Sequence, residues 1–572
     1  MRRSVSKTGS LDHAVGFLDN PIDAGDLVHR ARLNCGEKGL AMRIWLGIAA
    51  LLLMNSFAPL AAAEPVVVDV CVYGATPAGV AAAVAAARAG SKVALVEPLQ
   101  IVGGMMSSGL SFSDSNQMAR EALGGFFEEF HLRVEKHYLD QGIKLPYSIA
   151  EKNNVPWVNE PHVAEQVFND LLKEAGVQVH LGEQLLSASK TGVQIDSIQT
   201  TGQTFQAKVF VDASYEGDLL PAAKVGYVVG REPAARYGES LAGHQYPKLP
   251  VNASPFDDRQ GLLPFMTATD AGDPTQADGH VMVYSFRLCV TDVPEKQVPF
   301  PEPEAYDPAE FELVRRYLKQ TPNARQLMDF YPLPNGKTDV NNSIGGQISL
   351  GLVGGSDAWP DATPEARAQI WQKHKQYTLG LIHFLRTDPA VPERLRTDIR
   401  RWGLCKDEFV KTGHWPPVLY IREARRMKGG VVLTQNDVLT NVSKPDSIGV
   451  ASFPIDSHDC QRIPTSYGGF VNEGTIFPRH IPGRKIGQPY EVPYRSITPL
   501  EKECDNLLVP VCLSSSHVAM SSIRVEPSWI VIGHSAGAAA HLAAKKEVAV
   551  QKLDYAALES LLLEQKQVLH WK

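Results

Sequence analysis

Residues 66–97 run through apolar, small and apolar blocks in an order that predicts strand, turn, helix and strand. Val66 to Tyr73 is an almost unbroken apolar run, the pattern of a strand buried on both faces. Gly74-Ala75-Thr76-Pro77-Ala78-Gly79 breaks the run, and Val80 to Arg88 continue as a helix with almost no side-chain bulk. Residues 92–96 return to aliphatic strand character, and that strand ends on Glu97. Further along, apolar positions at helical spacing predict helices over 125–141, 161–175, 308–319 and 364–385. Residues 177–180, 192–200 and 204–211 read as three short strands of a small antiparallel excursion. A strand is expected over 282–290, and a buried strand over 506–511 precedes a helix over 526–545.

The first unit has the parts that dinucleotide binding needs. Gly74 permits a sharp turn, Gly79 lets helix and strand pack closely, and the first helical turn offers free N–H groups to a pyrophosphate. Glu97, about 20 residues on, is placed to accept hydrogen bonds from an adenosine ribose. The middle glycine of the usual Gly-x-Gly-x-x-Gly is Thr76 here, and its hydroxyl is a donor that a phosphate would accept. The plainer alternative is a βαβ unit whose glycines serve packing alone. Gly103-Gly104-Met105-Met106-Ser107-Ser108-Gly109 is a second backbone-exposing loop, where such a chain passes along its cofactor. Asp212-Ala213-Ser214-Tyr215-Glu216-Gly217-Asp218 follows a strand, and strand C-termini are where open α/β sheets bind ligands.

Charge and composition narrow the class. A net charge of −7 over 572 residues argues against a nucleic-acid partner, and 44% hydrophobic with 21% charged residues is an ordinary globular balance. Met42-Arg43, the apolar run Ile44 to Met54 and Ala61-Ala62-Ala63 read as a signal peptide at 42–63, cut after Ala63. The run is too short for a bilayer span, so no stable membrane anchor is expected after cleavage. Residues 1–41 read as a mis-assigned start or a disordered leader. Six cysteines follow the cut and none lies in a Cys-x-x-Cys, so metal and iron–sulfur sites lack support and no disulfide pairing follows. Cys71, inside the first strand, reads as a buried small hydrophobe.

Taken together, the Gly74–Gly79 turn, the Gly103-Gly104-Met105 loop, Val211 to Asp218, Tyr420-Ile421-Arg422-Glu423-Ala424-Arg425-Arg426-Met427 and the block 506–537 resemble the bacterial FAD-dependent oxidoreductase family. Members are sometimes labelled xanthan lyases, and the family is distantly similar to the flavoprotein part of heterodisulfide reductase. The resemblance implies a glutathione-reductase-like α/β fold: a Rossmann-like FAD-binding domain with an inserted α+β substrate domain. It implies FAD held by Gly74, Thr76, Pro77, Ala78, Gly79, Glu97, Gly103, Gly104, Met105 and, at the turn after the strand, Ala213. That turn departs from the Ala-Thr-Gly of many such flavoproteins, and the cysteine clusters of heterodisulfide reductase are missing. The expected boundaries are 64–225 and 413–548 for two parts of the FAD domain, 226–412 for the insertion and 549–572 for a helical tail.

Flavin chemistry asks for an acid or base near the substrate and for charge stabilisation. The helix opening near Pro527 would direct its positive end at a reduced flavin. His517 is the first candidate for general base, with a backbone-bonded structural histidine as the plainer alternative. Arg524 suits an anionic substrate or a structural pair with Glu526. Glu216 is a third catalytic candidate, while Asp218 reads equally well as a helix cap. A helix over 420–427 would gather Arg422, Arg425 and Arg426 on one side around a carboxylate or ligand, unless the run is simply solvated. Arg287 and His458 are weaker candidates, and no metal site is expected. The expected activity is hydride transfer between flavin and a small organic substrate, sugar-derived ones included, with an unidentified electron acceptor. A polysaccharide lyase and a non-catalytic flavin-binding protein are the alternatives.

Overall fold

In the computed structural model, which describes residues 64–151, 156–322, 327–343, 345–477 and 488–571, β1 (Val66–Tyr73) runs between two parallel neighbours. The signal segment expected at 42–63, and everything before it, lies outside the described residues. β2 (Val93–Glu97) pairs with β1 on one edge, Val72 opposite Leu95. On the other edge lies a strand more than a hundred residues later, Thr204–Asp212, with Val72 opposite Val211. From Val70 to Tyr73, β1 is flanked on both edges, covered by helices and has no water-facing side, which explains why its apolar character is continuous there.

β3 (Gln178–Leu181) corrects the expected excursion. It runs parallel to β2, Val179 opposite Leu95, because it returns after the Pro161–Ala175 helix, and a helical crossover brings a strand back parallel. The antiparallel excursion is instead β4 (Leu185–Thr191), β5 (Gln194–Thr200) and the first residues of β6 (Thr204–Asp212). β4 escaped the sequence pattern because it is an edge strand of mixed small and polar residues. The sheet order is β3-β2-β1-β6-β5-β4. The far half of β6 also pairs with Leu507–Leu508, the only part of 506–511 that forms a ladder. Val509 already turns away to Ile497, and Pro510 has no N–H to give.

Two helices stack close to this sheet. Pro77–Arg88 and Glu526–Lys546 meet along small residues: a Cβ on Gly533 would lie 2.2 Å from the Ala78 carbonyl oxygen, and one on Gly537 2.0 Å from that of Ala82. Side chains of any size there would push the first helix off the sheet.

A second sheet is wholly antiparallel. Its strands lie in the order Met328–Pro332, Lys337–Asn342, Leu288–Thr291, Gly403–Cys405 and Gln297–Val298. Of the strand expected over 282–290, only Leu288 onward joins this ladder, while Ser285 makes a lone bridge to Tyr420. The helix that would have gathered Arg422, Arg425 and Arg426 does not form. The segment is extended, and only Arg426–Met427 pairs, with Tyr227–Val228. Its arginines go to separate partners, so nothing holds them on one helical face. Cys71 is fully buried, as a small hydrophobe would be. Among the described residues the cysteines are free thiols, Cys289 donating to Cys405 Sγ at 3.7 Å.

Candidate functional site

A cavity of about 390 Å³ lies at the C-terminal ends of β1, β2 and β6. Gly74, Thr76, Glu97, Gly104, Ser214 and Glu216 line it on the sheet side, and Trp359, Arg367, Trp371 and Leu419 close it opposite. Gly74 sits at φ +96°, and a Cβ on Gly79 would fall 1.9 Å from the Gly74 carbonyl oxygen. Both positions therefore require glycine. The Thr76 hydroxyl is not free for a phosphate: it donates to Ala213 O at 2.7 Å and accepts from Gly79 N at 3.2 Å, capping the helix. Among the described residues the Ala78 N–H has no protein acceptor. It remains a first-turn donor for an anion.

Glu97 is buried at the tip of β2 and accepts from Ala75 N at 2.6 Å and Leu99 N at 2.9 Å. Burial pushes its carboxyl up to about 7 against the pull of those two bonds. The second glycine loop is tied to the first, Gly103 N to Ala75 O. A Cβ on Gly104 would strike the Tyr215 hydroxyl at 2.6 Å. That hydroxyl takes the Met105 N–H at 3.0 Å and donates to Glu526 Oε1 at 2.5 Å. Met105 N–H and Ala213 O are thus spent on holding loops. Glu526, at the N-terminus of its helix, keeps Oε2 buried and unpartnered, and burial pushes its carboxyl up to about 8.

The predicted catalytic residues separate. His517 opens the His517–Ile523 helix, and its Nδ1 lies 2.9 Å from both oxygens of Glu423, a residue 94 positions away. Glu423 also takes Arg426, whose other arm reaches Glu232 at 2.6 Å, and Glu232 in turn accepts the His517 N–H. Nε2 has no partner among the described residues. Glu216 lines the cavity and accepts from Trp359 Nε1 at 3.1 Å; burial raises its carboxyl. Asp218 stands at the N-cap position of Leu219–Ala222, but its side chain makes no cap bond. It holds Arg367 at 2.8 Å and Arg425 at 2.9 Å across the same cavity wall.

Arg524 does not pair with Glu526. Its Nη2 donates to the Asp456 carbonyl at 2.8 Å, and its Nη1 reaches the Tyr420 hydroxyl at 3.4 Å. Arg422 lies over the Tyr420 ring at 4.3 Å and donates to Val283 O, Ser285 Oγ and Asn342 Oδ1. Arg287 is nearby, closed on Asp339 by two bonds of 2.9 and 2.5 Å. His458 is buried in the same group, and burial together with these cations pushes its imidazole well below the usual range. Four side chains from separate stretches of sequence thus converge around Tyr420. Sequence reasoning missed Tyr420, Glu423 as the partner of His517, and Tyr215 as the link to Glu526; no local pattern marks any of them. Glu160, His162 and Glu408 have metal-ligand spacing, but the Lys337 ammonium sits against Glu160 at 2.7 Å and Glu408 at 2.6 Å.

A family model described as FAD dependent oxidoreductase matches residues 69–562. The chain belongs to that family. Among curated proteins, the thiamine thiazole synthases of Pyrococcus abyssi (strain GE5 / Orsay) and Pyrococcus horikoshii are each 30% identical to it over 159 residues, 26% of this chain. The match spans 58% of the length of those relatives. Similar solved structures include THI4 of Thermovibrio ammonificans, at 16% identity over 35% of this chain and 76% of that one, with a TM-score of 0.22. L-proline dehydrogenase from P.horikoshii is 15% identical over 30% of this chain and 59% of that one, with a TM-score of 0.22.

The FAD-dependent oxidoreductase family fixes the cofactor class, and the chain's residues fit FAD. The tight turn that requires glycine at 74 and 79, the Ala78 N–H with no protein acceptor among the described residues and the Glu97 carboxylate at the strand tip are what a pyrophosphate and its ribose require.

Proposed function

We propose that the protein is an exported FAD-dependent oxidoreductase that moves a hydride between flavin and a small organic substrate, with His517 handling the accompanying proton. The observation that carries this reading is the His517–Glu423 pair. A buried carboxylate on Nδ1 selects the tautomer with the proton there and leaves Nε2 as the base. It also stabilises the imidazolium once Nε2 has taken a proton. Bound FAD supplies the hydride acceptor. The signal pattern at 42–63 supports export, and an exported oxidoreductase meets sugar-derived and other small organic substrates. Glu216 would serve at the cavity wall, where it meets the cofactor before the substrate.

The test uses purified residues 64–572, screened with sugars and organic acids for bleaching of the visible flavin band. His517→Ala is expected to keep its flavin and slow bleaching by a bleaching compound at least ~100-fold, the usual scale for losing a general base. An unchanged rate removes His517 from the reaction. A folded, colourless protein that takes up no FAD removes the whole reading.

A further inference from the structure

We propose that Arg422 and Arg524, with Tyr420 between them, form the receiving site for a small organic carboxylate. This deepens the hydride-transfer reading and rests on it, because the carboxylate would belong to the substrate.

The argument starts from the cost of burying charge. Arg422 is fully buried and Arg524 is 3% exposed. A guanidinium so placed is expensive unless an anion faces it. Other buried arginines of this protein have one: Arg231 meets Asp278 and Glu473, Arg287 meets Asp339, and Arg426 meets Glu423 and Glu232. Arg422 and Arg524 bond only to neutral acceptors, and each leaves its Nε buried without a partner. Arg462 also has only neutral partners, but all three of its nitrogens are used.

The acids near by do not close the gap. Asp456 and Asp114 are half-buried and within electrostatic reach, yet neither forms an ion pair with Arg422 or Arg524. Asp456 keeps Oδ1 buried and unpartnered, and burial pushes its carboxyl up to about 7. Lys248, the remaining cation beside them, is already held by Asp459 at 2.7 Å. Both guanidinium groups are therefore buried without a direct ion pair, with Asp114 and Asp456 only in electrostatic reach.

The donor set suits a carboxylate. Two guanidinium groups with spare N–H donors can take its two oxygens, which a neutral hydroxyl cannot match in strength. The cation–π contact with Tyr420 holds Arg422 in place. The cluster also joins the cofactor loop. A Cβ on Gly109 would lie 2.1 Å from the Arg287 carbonyl oxygen, and Ser111 N donates to the Asp339 that grips Arg287. The glycine loop that borders the cavity at Gly104 thus continues to Arg287, beside this site.

The test titrates flavin-loaded protein with malonate, L-lactate and D-gluconate, with malonamide and glucose as neutral controls. It follows the flavin difference spectrum and the thermal midpoint. At least one carboxylate is expected to give a saturable response in both, and the neutral probes none. Arg524→Gln should weaken that binding roughly 10- to 100-fold, the loss of one charge-assisted bond, with flavin content unchanged. Arg524→Lys should recover part of it. Arg422→Gln is a second variant only if its melting is cooperative, since that side chain is wholly buried. No response to any of the three carboxylates overturns the inference, as does equal binding by wild type and Arg524→Gln. So does a variant that binds carboxylate normally but shifts the flavin potential, which would give the arginine to the reduced flavin. Yellow protein without a carboxylate response defeats this inference alone. Colourless protein that malonate still stabilises defeats the hydride reading alone.

Discussion

Gly79→Ala adds one methyl group to the turn at the mouth of the cavity. Built on the existing backbone, that Cβ lies 1.9 Å from Gly74 O and 3.1 Å from the Ala213 Cβ. Cβ contacts do not fall below 3.0 Å, so Gly74 O has to retreat by at least about 1.1 Å. Gly74 is itself tightly placed, at φ +96° with Ser214 N 2.6 Å from where its own Cβ would lie. The helix start must shift instead, which strains the Thr76 cap and moves the Ala78 N–H. Overpacking of this kind costs about 1–3 kcal/mol of stability. Misplacing one or two donors to a phosphate, at about 1.5–3 kcal/mol each, weakens FAD binding roughly 10-fold to more than 1000-fold. The assay is flavin per polypeptide after gel filtration, with the dissociation constant from reconstitution and the thermal midpoint alongside. Gly279→Ala is the control, since no atom lies within 4 Å of its added Cβ. A Gly79→Ala protein with wild-type flavin content and melting would refute the packing argument.

Glu423→Gln should keep its flavin but slow substrate bleaching by about 10- to 100-fold, because the amide no longer stabilises a protonated His517; an unchanged rate would show that the pair is only structural. Thr76→Val should cost on the order of 1 kcal/mol through the lost cap, yet keep its flavin, since the hydroxyl serves Ala213 and Gly79. Flavin lost at normal stability would return that hydroxyl to the phosphate. Glu526 ionises at about 8 in the folded protein against an ordinary 4.5. Its folded value is the higher one, so the wild type loses stability as pH rises from about 4.5 to 8, by roughly 1.4 kcal/mol per pH unit at most. Glu526→Gln cannot ionise, so its melting advantage over wild type should grow between pH 5.5 and 8; a constant difference would contradict the burial argument.

The parts legible in sequence were those ruled by neighbours along the chain. β1, the Gly74–Gly79 turn, and helices such as Pro161–Ala175 and Glu526–Lys546 depend on hydrophobic period, backbone freedom and first-turn donors. All of these are set within a few residues. The failures share the opposite cause. β3 became parallel because of a crossover, and β4 is a strand only because β5 lies beside it. Arg422 to Met427 carried charge spacing compatible with a helix, but helix formation is weak beside buried ion pairs. Arg425 was drawn to Asp218 and Arg426 to Glu423 and Glu232, and the chain extended to reach them. By itself the sequence determined a dinucleotide turn with its acid, and hence the cofactor class. Only the tertiary structure decided that His517 rests on Glu423 and that Arg287, Arg422, Arg524 and His458 surround Tyr420. That cluster gathers residues as far as 237 positions apart, Arg287 and Arg524. Pairing at that range follows from which segments the two sheets and their crossovers bring together, and no local pattern encodes it.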